Sequence, residues 1–354
     1  MALHWSWAFG NETGTNLNSM GWTSSHPTDT TQNVAHSDSD KVYSYTGSPT
    51  RYSWGLRFSA SLTMASAAFS GVNSGWIAVP FKSGEAAASY SGGYLIYGQT
   101  SGSRIIGVDV QSTGVMRVFV NSFVVATTAA YDFSSWKYVA LLYDLTGAYG
   151  ATTHAAQLYV DGVAATTLAT STRAAETLAL VRFNGGLARN AFPSTSLTSH
   201  YIGQCTIWNS RLDTQAADPV FVTRVEPTSD GTNVGTWTPS TGSDDFAVVD
   251  SPFDATTYTQ DASPSASDRC EVVSSALSTA LGITPSSITG ATAHTYSQGQ
   301  SVTAKAVVGP SGGAETSGTS TAIGASTTTY AMATSTASLS ASDTIDIIYE
   351  IVSP

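Results

Sequence analysis

The stretch AAQLYVDGVA, Ala155–Ala164, predicts a β-hairpin. Leu158 and Val160 alternate with polar or aromatic neighbours, as expected for a strand with one buried face. Asp161 and Gly162 follow directly, and an Asp-Gly pair supplies the positive φ angles of a two-residue hairpin turn. The sequence therefore places this stretch in an antiparallel sheet.

Upstream, the stretch WKYVALLYDL (136–145) predicts a central strand, because its apolar run is too continuous for a strand with one solvent-exposed face. Further strand-like runs are separated by turn residues, with no convincing long amphipathic helix between them. These runs are RYSWGLRFSA, GWIAVPF, GGYLIYG, SRIIGVDV, VMRVFV, TLALVRF and SHYIGQCTIWNS. Many short strands with Gly-rich turns predict a β-sandwich or jelly roll.

The composition indicates a folded protein with an uncharged polar surface. Hydrophobic residues make up 42% of the chain, and 8 Trp, 16 Tyr and 12 Phe argue against disorder. Charged residues make up only 11%, against roughly 25% in an average soluble protein. Surfaces rich in Ser, Thr, Gly and Ala are typical of β-rich extracellular or virion proteins.

The charge distribution divides the 354 residues into two predicted domains, 1–223 and 224–354. Residues 1–224 hold 12 Lys and Arg against 12 Asp and Glu, whereas residues 225–354 hold 2 against 13 and so carry the whole net charge of −11. No basic patch is available to replace phosphate counterions, which excludes nucleic acid as an expected partner.

The second half changes to Ser/Thr/Ala-rich tracts, in which QSVTAKAVVG and TIDIIYEIV have clear β-propensity and predict a small sandwich. The stretch SDRCEVVSSALSTALG fits either a helix or two strands. Cys205 and Cys270 lie on opposite sides of the boundary and are predicted to be two buried thiols, not a disulfide framework. No targeting signal and no membrane-spanning stretch is recognisable.

The succession YSWGLRFSA, GVMRVFVNS, WKYVALLYDL and AAQLYVDGVA resembles the laminin G-like, concanavalin A-like jelly roll, over about residues 1–222. The resemblance implies the fold more strongly than an activity. Laminin G-like domains often carry calcium at the rim, which makes Asp109 and Asp144 candidate metal ligands. The alternative for each is an Asx hydrogen bond that caps a turn. No cofactor is expected to be required.

The segment RVEPTSDGTNVGTWTPSTGSDDFAVVDSPFDATTY (224–258) resembles a segment of tail and other virion proteins of tailed bacteriophages, and the opening MALHWSWAFG is similar to their N-termini. The resemblance implies a virion protein that is made in the bacterial cytoplasm. Its partners would be other virion proteins and copies of itself.

The sequence lacks the motifs of the enzymes that use this fold. Glucanases place carboxylates at E-x-D-x-E spacing, and residues 1–222 contain only Glu12, Glu85 and Glu176, none near another carboxylate. The six His residues stand alone, without metal-ligand spacing, and are expected to be loop or packing residues. A non-enzymatic protein is therefore expected.

Two further groups of residues have alternative interpretations. Trp5, Trp7, Trp22 and Tyr43 would either stack on sugar rings in a lectin-like cleft, or cover the open end of the jelly roll and pack on a neighbouring subunit. The acidic cluster Asp244, Asp245, Asp250 and Asp254 is predicted to be a solvated loop face, with a basic partner or a divalent ion as the alternative.

These observations predict an all-β, non-enzymatic phage virion protein, tail-associated, that displays a jelly roll and attaches through its acidic second domain. A capsid decoration protein or head fibre is the first alternative. Like a tail protein, it needs a rigid, exposed β-module and an attachment surface, so the sequence does not separate the two. A receptor module for a host glycan is the second, and a glycanase is the third.

Overall fold

The structure is a computed structural model that divides the chain into two compact units, Ala2–Val222 and Thr223–Pro354. It describes residues 3–7, 22–24, 41–42, 53–54, 56–58, 62–64, 72–83, 93–147, 153–183, 200–203, 205–211, 225–249, 258–281, 288, 290–297, 301–323, 329–336 and 339–354. Each unit is described by itself.

The described part of the first unit is built from short antiparallel strands. They are β1 (Leu3–Trp7), β2 (Trp22–Ser24), β3 (Lys41–Val42), β4 (Ser53–Trp54), β5 (Leu56–Phe58), β6 (Leu62–Met64), β7 (Ser74–Ser83), β8 (Gly93–Thr100), β9 (Ile105–Val110), β10 (Val115–Val120), β11 (Phe123–Ala130), β12 (Lys137–Asp144), β13 (Thr153–Val160), β14 (Val163–Ala164), β15 (Ala169–Thr172), β16 (Leu178–Phe183), β17 (His200–Ile202) and β18 (Cys205–Trp208).

These strands form two large sheets. A nine-stranded sheet has the order β1-β18-β7-β12-β13-β14, with β15 beside β13 and with β17 joining β7 to β5. A seven-stranded sheet has the order β11-β10-β9-β8-β16-β6-β2, and β3 and β4 form a separate pair. The two large sheets pack on each other through β10 with β13 and β9 with β12. The predicted β-sandwich is thus confirmed, and each of the strand-like runs contains at least one strand.

The core lies between the two sheets. Leu141 is paired with Ile77 on one side and Leu158 on the other, and all three are fully buried. In the seven-stranded sheet, Val108 and Val118 are paired and also fully buried. Because side chains alternate across a strand, these positions share the faces that meet in the sandwich.

Strand β12 is central, as predicted. It pairs with β7 and β13, and seven of its eight residues are buried, so both of its faces are covered. The second face carries an aromatic cluster in which Trp76, Tyr138 and Trp208 are buried and Tyr159 packs edge-on against Trp76. Close approach is needed here, because a Cβ on Gly75 would lie 1.8 Å from the Trp208 carbonyl oxygen.

The hairpin predicted from AAQLYVDGVA is present. Asp161 and Gly162 have φ values of 51° and 82°, and Val160 pairs with Val163 across the turn. Asp161 also contacts the neighbouring strand β12, because its Oδ1 accepts a hydrogen bond from the Tyr138 backbone N–H at 2.8 Å. The turn is therefore held by its φ angles and by a side-chain contact to β12.

The described part of the second unit contains ten strands and two short helices. They are β19 (Pro227–Asp230), β20 (Trp237–Pro239), α1 (Phe246–Val249), β21 (Thr259–Asp261), β22 (Arg269–Ser274), α2 (Leu277–Leu281), β23 (Ala291–Ser297), β24 (Val302–Pro310), β25 (Thr316–Ser317), β26 (Thr321–Ile323), β27 (Thr329–Ser335) and β28 (Ile345–Ser353).

The second unit is a smaller sandwich, as its β-propensity predicted. A six-stranded sheet has the order β19-β22-β28-β24-β25, with β26 beside β24, and the pair β23-β27 packs against it. The core between them consists of small or aliphatic side chains, among them Ala293, Ala306, Val308 and Ala333. The stretch SDRCEVVSSALSTALG forms one strand and one short helix, β22 and α2, so neither single interpretation was right.

Both cysteines are buried free thiols, as predicted. None of the described helices is long and apolar enough to cross a membrane.

Candidate functional site

Asp109, a candidate calcium ligand, is fully buried on β9 and pairs with Arg117 on β10. The Arg117 Nε donates to both carboxylate oxygens, at 3.0 and 3.2 Å, and a second guanidinium nitrogen donates to Oδ2. This hydrogen bond to Asp109 raises the pKa of the Arg117 guanidinium above its ordinary value, although partial burial opposes the shift. The Asp109 carboxylate is thus already paired with the Arg117 guanidinium of the neighbouring strand.

Aromatic side chains surround this ion pair on the same face of the seven-stranded sheet. Tyr94 is paired with Asp109, and its ring lies 5.3 Å from Phe119 and 5.4 Å from Tyr97. The Arg117 guanidinium lies 5.4 Å from the centre of the Phe119 ring, a cation–π distance. The rings of Tyr94 and Phe119 are each only 2% exposed, so this face offers a ligand mainly Arg117 and Tyr97.

Asp144, the second candidate ligand, ends β12 and caps the turn that follows. Its Oδ1 accepts hydrogen bonds from the Thr146 backbone N–H at 2.8 Å and from the Thr146 hydroxyl at 2.6 Å. Its Oδ2 lies 3.4 Å from the Arg211 Nε. The structure therefore gives Asp144 the Asx hydrogen bond that was the alternative to metal binding.

The two candidate ligands do not converge. Asp109 belongs to the seven-stranded sheet and Asp144 to the nine-stranded sheet, and each faces an arginine. Among the described residues, no group of three or more His, Cys, Asp or Glu side chains is arranged to hold a metal ion. Calcium binding at either carboxylate stays a prediction, and it would require the ion to share the site with a guanidinium.

The candidate glycan or subunit contacts are spread over different strands. Trp5 and Trp7 lie in β1, at one edge of the nine-stranded sheet, and Trp22 lies in β2, at one edge of the seven-stranded sheet. Tyr43 lies outside the described residues. Trp5, Trp7 and Trp22 are thus on edge strands, and their role as sugar or subunit contacts stays a prediction.

His154 forms a buried polar contact that the sequence did not single out. It is fully buried on β13, with Nδ1 2.8 Å from Asn121 Oδ1 and Nε2 2.8 Å from the Ala174 carbonyl oxygen. Asn121 also donates through Nδ2 to the Ser171 hydroxyl at 2.9 Å. Asn121 and Ser122 have φ values of 56° and 71°, so the turn before β11 directs Asn121 into the sandwich.

This contact is structural, in agreement with the expectation that each His is a loop or packing residue. It joins β13 of one sheet to the β10–β11 turn of the other, and both ring nitrogens have partners inside the chain. The turn dipeptide Asn-Ser between two apolar runs was the signal that could have revealed it.

The prediction of a solvated loop face is wrong for Asp245. This residue is 4% exposed and accepts hydrogen bonds from the Asn233 amide and the Thr259 hydroxyl. Asn233 Oδ1 in turn accepts from the Glu271 backbone N–H at 2.8 Å. The two hydrogen-bond donors replace the water that the Asp245 carboxylate loses on burial, which explains how a charged group can be buried here. Asp244 is exposed, and Asp250 and Asp254 lie outside the described residues.

Further polar contacts order the same segment. The Phe246 backbone N–H donates to Asp230 Oδ1 at 2.7 Å, and Trp237 Nε1 donates to the Val234 carbonyl oxygen at 2.9 Å. Gly235 has a φ of 100°, and a Cβ there would lie 2.7 Å from the Asp268 carboxyl carbon. Asp230, Asn233 and Trp237 are thus used to hold the local backbone.

The only two basic residues of the range 225–354 are both committed to ion pairs on one sheet face. Glu350 on β28 is paired in register with Arg269 on β22 and Lys305 on β24. Lys305 Nζ lies 2.9 Å from Glu350, and Arg269 lies 2.7 Å from Glu315 and 3.8 Å from Glu350. The remaining acids of the range 225–354 therefore have no Lys or Arg of that range left to pair with.

Burial controls the chemistry of both thiols. It raises the pKa of Cys205 well above its ordinary value. Burial, with the negative charges of Asp245, Asp230 and Glu271 nearby, raises the pKa of Cys270 to about 12. Both thiols are therefore protonated and unreactive at neutral pH.

No protein-family model and no curated protein matches this sequence. Among solved structures, Trypanosoma rangeli sialidase in complex with the inhibitor DANA is similar at 13% identity and a TM-score of 0.36, covering 47% of this chain and 27% of that chain. The receptor-binding domain of botulinum neurotoxin mosaic serotype C/D is similar at 12% identity and a TM-score of 0.32, covering 49% and 43%.

The CBM40 of Ruminococcus gnavus IT-sialidase is similar at 14% identity and a TM-score of 0.32, covering 46% of this chain and 94% of that one. The match to the Trypanosoma rangeli sialidase spans only about a quarter of the enzyme. Similarity at this level assigns neither an activity nor a ligand to this chain.

Proposed function

We propose that the protein is a non-enzymatic structural protein of a tailed-bacteriophage particle, tail-associated, in which the first unit is displayed and the second unit attaches. The observation that carries the non-enzymatic part is the pairing of the buried acids and histidine in the first unit. Asp109 is paired with Arg117, Asp144 with Thr146 and Arg211, and His154 with Asn121 and Ala174. A general acid, base or nucleophile needs a group that is free to face a substrate.

The virion role is supported by the resemblance of residues 224–258 to phage virion segments. In this segment, Asp230, Asn233 and Asp245 hold the backbone and each other. Such a use of polar residues suits a rigid structural module. The surplus of acids in the second unit supports attachment to a basic surface of another virion protein.

The direct test of this function is to locate the protein in purified particles. Antibody raised against the first unit and labelled with gold should decorate the tail. Labelling of the head would favour the capsid decoration protein or head fibre, and particles that lack the protein would exclude both roles.

A receptor module for a host glycan is the second candidate, favoured by two partly exposed side chains on an aromatic sheet face: Arg117, which lies against Phe119, and Tyr97, which lies against Tyr94. A glycan array with the full chain tests it. Loss of a signal in Trp22→Ala, with a properly folded Trp54→Ala as control, would place the sugar at β2. Loss in Arg117→Gln would place it on the aromatic face instead. Release of products from bacterial polysaccharide would reveal a glycanase.

A further inference from the structure

One side of the first sandwich leaves core-facing apolar side chains exposed. Phe123 on β11 is paired with Val120, and Val163 on β14 is paired with Val160; both partners are buried. Paired residues on neighbouring strands share a sheet face, so Phe123 and Val163 belong to the faces that form the core. They are nevertheless 62% and 69% exposed. The described residues thus leave these two side chains uncovered on this side.

We define this open side as residues 121–130 and 162–172, the edges of the two sheets. The edges are joined by the hydrogen bond from Asn121 Nδ2 to the Ser171 hydroxyl and by contacts of β11 with β15. The open side also includes Val124 and Leu168, which are 45% and 38% exposed. Four of the seven large hydrophobic side chains that are exposed among the described residues therefore lie here.

The open side carries no charged residue. The sequences NSFVVATTAA and GVAATTLATST contain no Asp, Glu, Lys or Arg. Edges of sheets in monomeric proteins are usually protected by charges, especially lysine. The ten and eleven residues of the two edges also reach the roughly 20–30 residues per side of a standard protein interface. An uncharged, partly apolar surface of this size is suited to being covered by another chain.

We propose that the open side is an interface between two copies of this chain, related by a two-fold axis, in which Phe123 of each copy packs on the apolar side chains of the other. The charge distribution selects this occupant. The open side is neutral and residues 1–224 are balanced in charge, with 12 Lys and Arg against 12 Asp and Glu, so two copies meet here without net repulsion, whereas a basic or acidic partner finds no charge here to pair with. In a two-fold interface the same surface of each copy contacts the other, and a neutral apolar surface can do this because it has no like charges to repel.

The contact is made by side chains and not by continuation of the sheet. The pairing of β11 with β10 shifts register twice, between Val115 and Arg117 and between Val118 and Phe119. Such bulges break the regular array of free backbone groups that strand pairing would need. This inference goes beyond the proposed virion function and does not depend on it.

The test is the mass of the full chain in solution. Light scattering after gel filtration, over low to high micromolar concentrations, should give twice the 36.7 kDa of the chain. The variants Phe123→Lys and Val163→Lys should give the monomer mass, because they place like charges in the contact. Their melting curves at low concentration should stay close to wild type, because both side chains are already exposed.

The matched control is Val234→Lys, which changes a valine that is 48% exposed in the second unit, and this variant should remain dimeric. A wild-type chain that is monomeric throughout the range overturns the proposal. A dimer that persists in both lysine variants also overturns it, because the contact would then lie elsewhere. If one variant fails to fold, the other and the milder Phe123→Ser decide the question.

Discussion

Asp109 and Arg117 illustrate how this chain handles buried charge at the scale of single residues. They face each other on β9 and β10, so the register itself brings the carboxylate and the guanidinium together. Asp144, His154 and Asp245 likewise have hydrogen-bond partners within their own unit. Hydrogen-bonded pairing offsets the cost of removing these groups from water, whereas removing one partner leaves an uncompensated charge or dipole.

We expect millimolar calcium to leave the melting temperature of the full chain unchanged. Both oxygens of Asp109 and Oδ1 of Asp144 accept hydrogen bonds from arginine and threonine donors, and Oδ2 of Asp144 lies 3.4 Å from the Arg211 Nε. A calcium ion would have to displace these groups. Differential scanning calorimetry with and without calcium checks this. A rise in melting temperature that is lost in Asp144→Asn but kept in Asp132→Asn, an exposed carboxylate that also caps a turn, would instead establish a calcium site.

We expect Cys270 to make the second unit less stable at alkaline pH. Its folded-state pKa of about 12 lies above the ordinary 9.0. The thiolate therefore forms more readily in the unfolded chain, so the contribution of Cys270 is fully present below pH 9 and is lost as the pH rises from 9 towards 12. Urea unfolding of wild type and Cys270→Ala across that window should show a smaller decline in the variant. Parallel declines would contradict this account.

At the scale of elements, the antiparallel sheets are built from hairpins, and the residues in the turns made some of these hairpins predictable from the sequence. The turn at Asp161-Gly162 and the central position of β12 follow from patterns of a few residues. Strand β11 was not predicted, because FVVATTAA lacks both a buried apolar face and a continuous apolar run. The contact of His154 with Asn121 depends on residues 33 positions apart on different sheets. Asp245 was misjudged because its donors, Asn233 and Thr259, are also distant in sequence.

We expect Gly162→Val to lower the free energy of unfolding of the first unit by about 1 kcal/mol or more, because a β-branched residue is forced to a positive φ. The observed φ of Gly162 is 82°. The matched control is Ala164→Val, which adds the same side chain to an ordinary strand position in this hairpin and should cost little. Equal melting temperatures for the two variants would mean that the turn adopts another conformation.

At the scale of the whole molecule, two sandwiches of different composition share one chain. The first buries large aromatic side chains such as Trp76 and Phe119, whereas the core of the second is made mainly of alanine and aliphatic side chains. The first is balanced in charge and the second is acidic. These differences agree with the proposed arrangement, in which the first unit would be displayed and the second would attach.

We expect limited proteolysis to cut the chain within about ten residues of Arg224, because polar linkers between compact units are the preferred sites of cleavage. The units meet in sequence at Val222 and Thr223. Proteinase K digestion followed by intact-mass analysis checks the site. A stable fragment that runs uncut from residue 215 to 235 would count against this boundary.

We expect deletion of residues 225–354 to leave a folded first unit that no longer joins particles. If the partner of the acidic unit is basic, the attachment is electrostatic, and high salt should release the full-length protein from particles. Quantitative immunoblotting of particles assembled with the truncated chain measures the outcome. Incorporation at normal copy number would place attachment in the first unit.

The ion pairs of Arg269 and Lys305 also determine how this protein is digested and detected. They are the only sites after residue 224 at which trypsin can cut, and both lie inside paired strands. The native second unit should therefore resist trypsin. After denaturation it yields only the long peptides 225–269, 270–305 and 306–354, of 45, 36 and 49 residues. A tryptic survey of any sample that contains this protein would thus detect the first unit and under-count the second, whereas a protease that cleaves at acidic residues would report both.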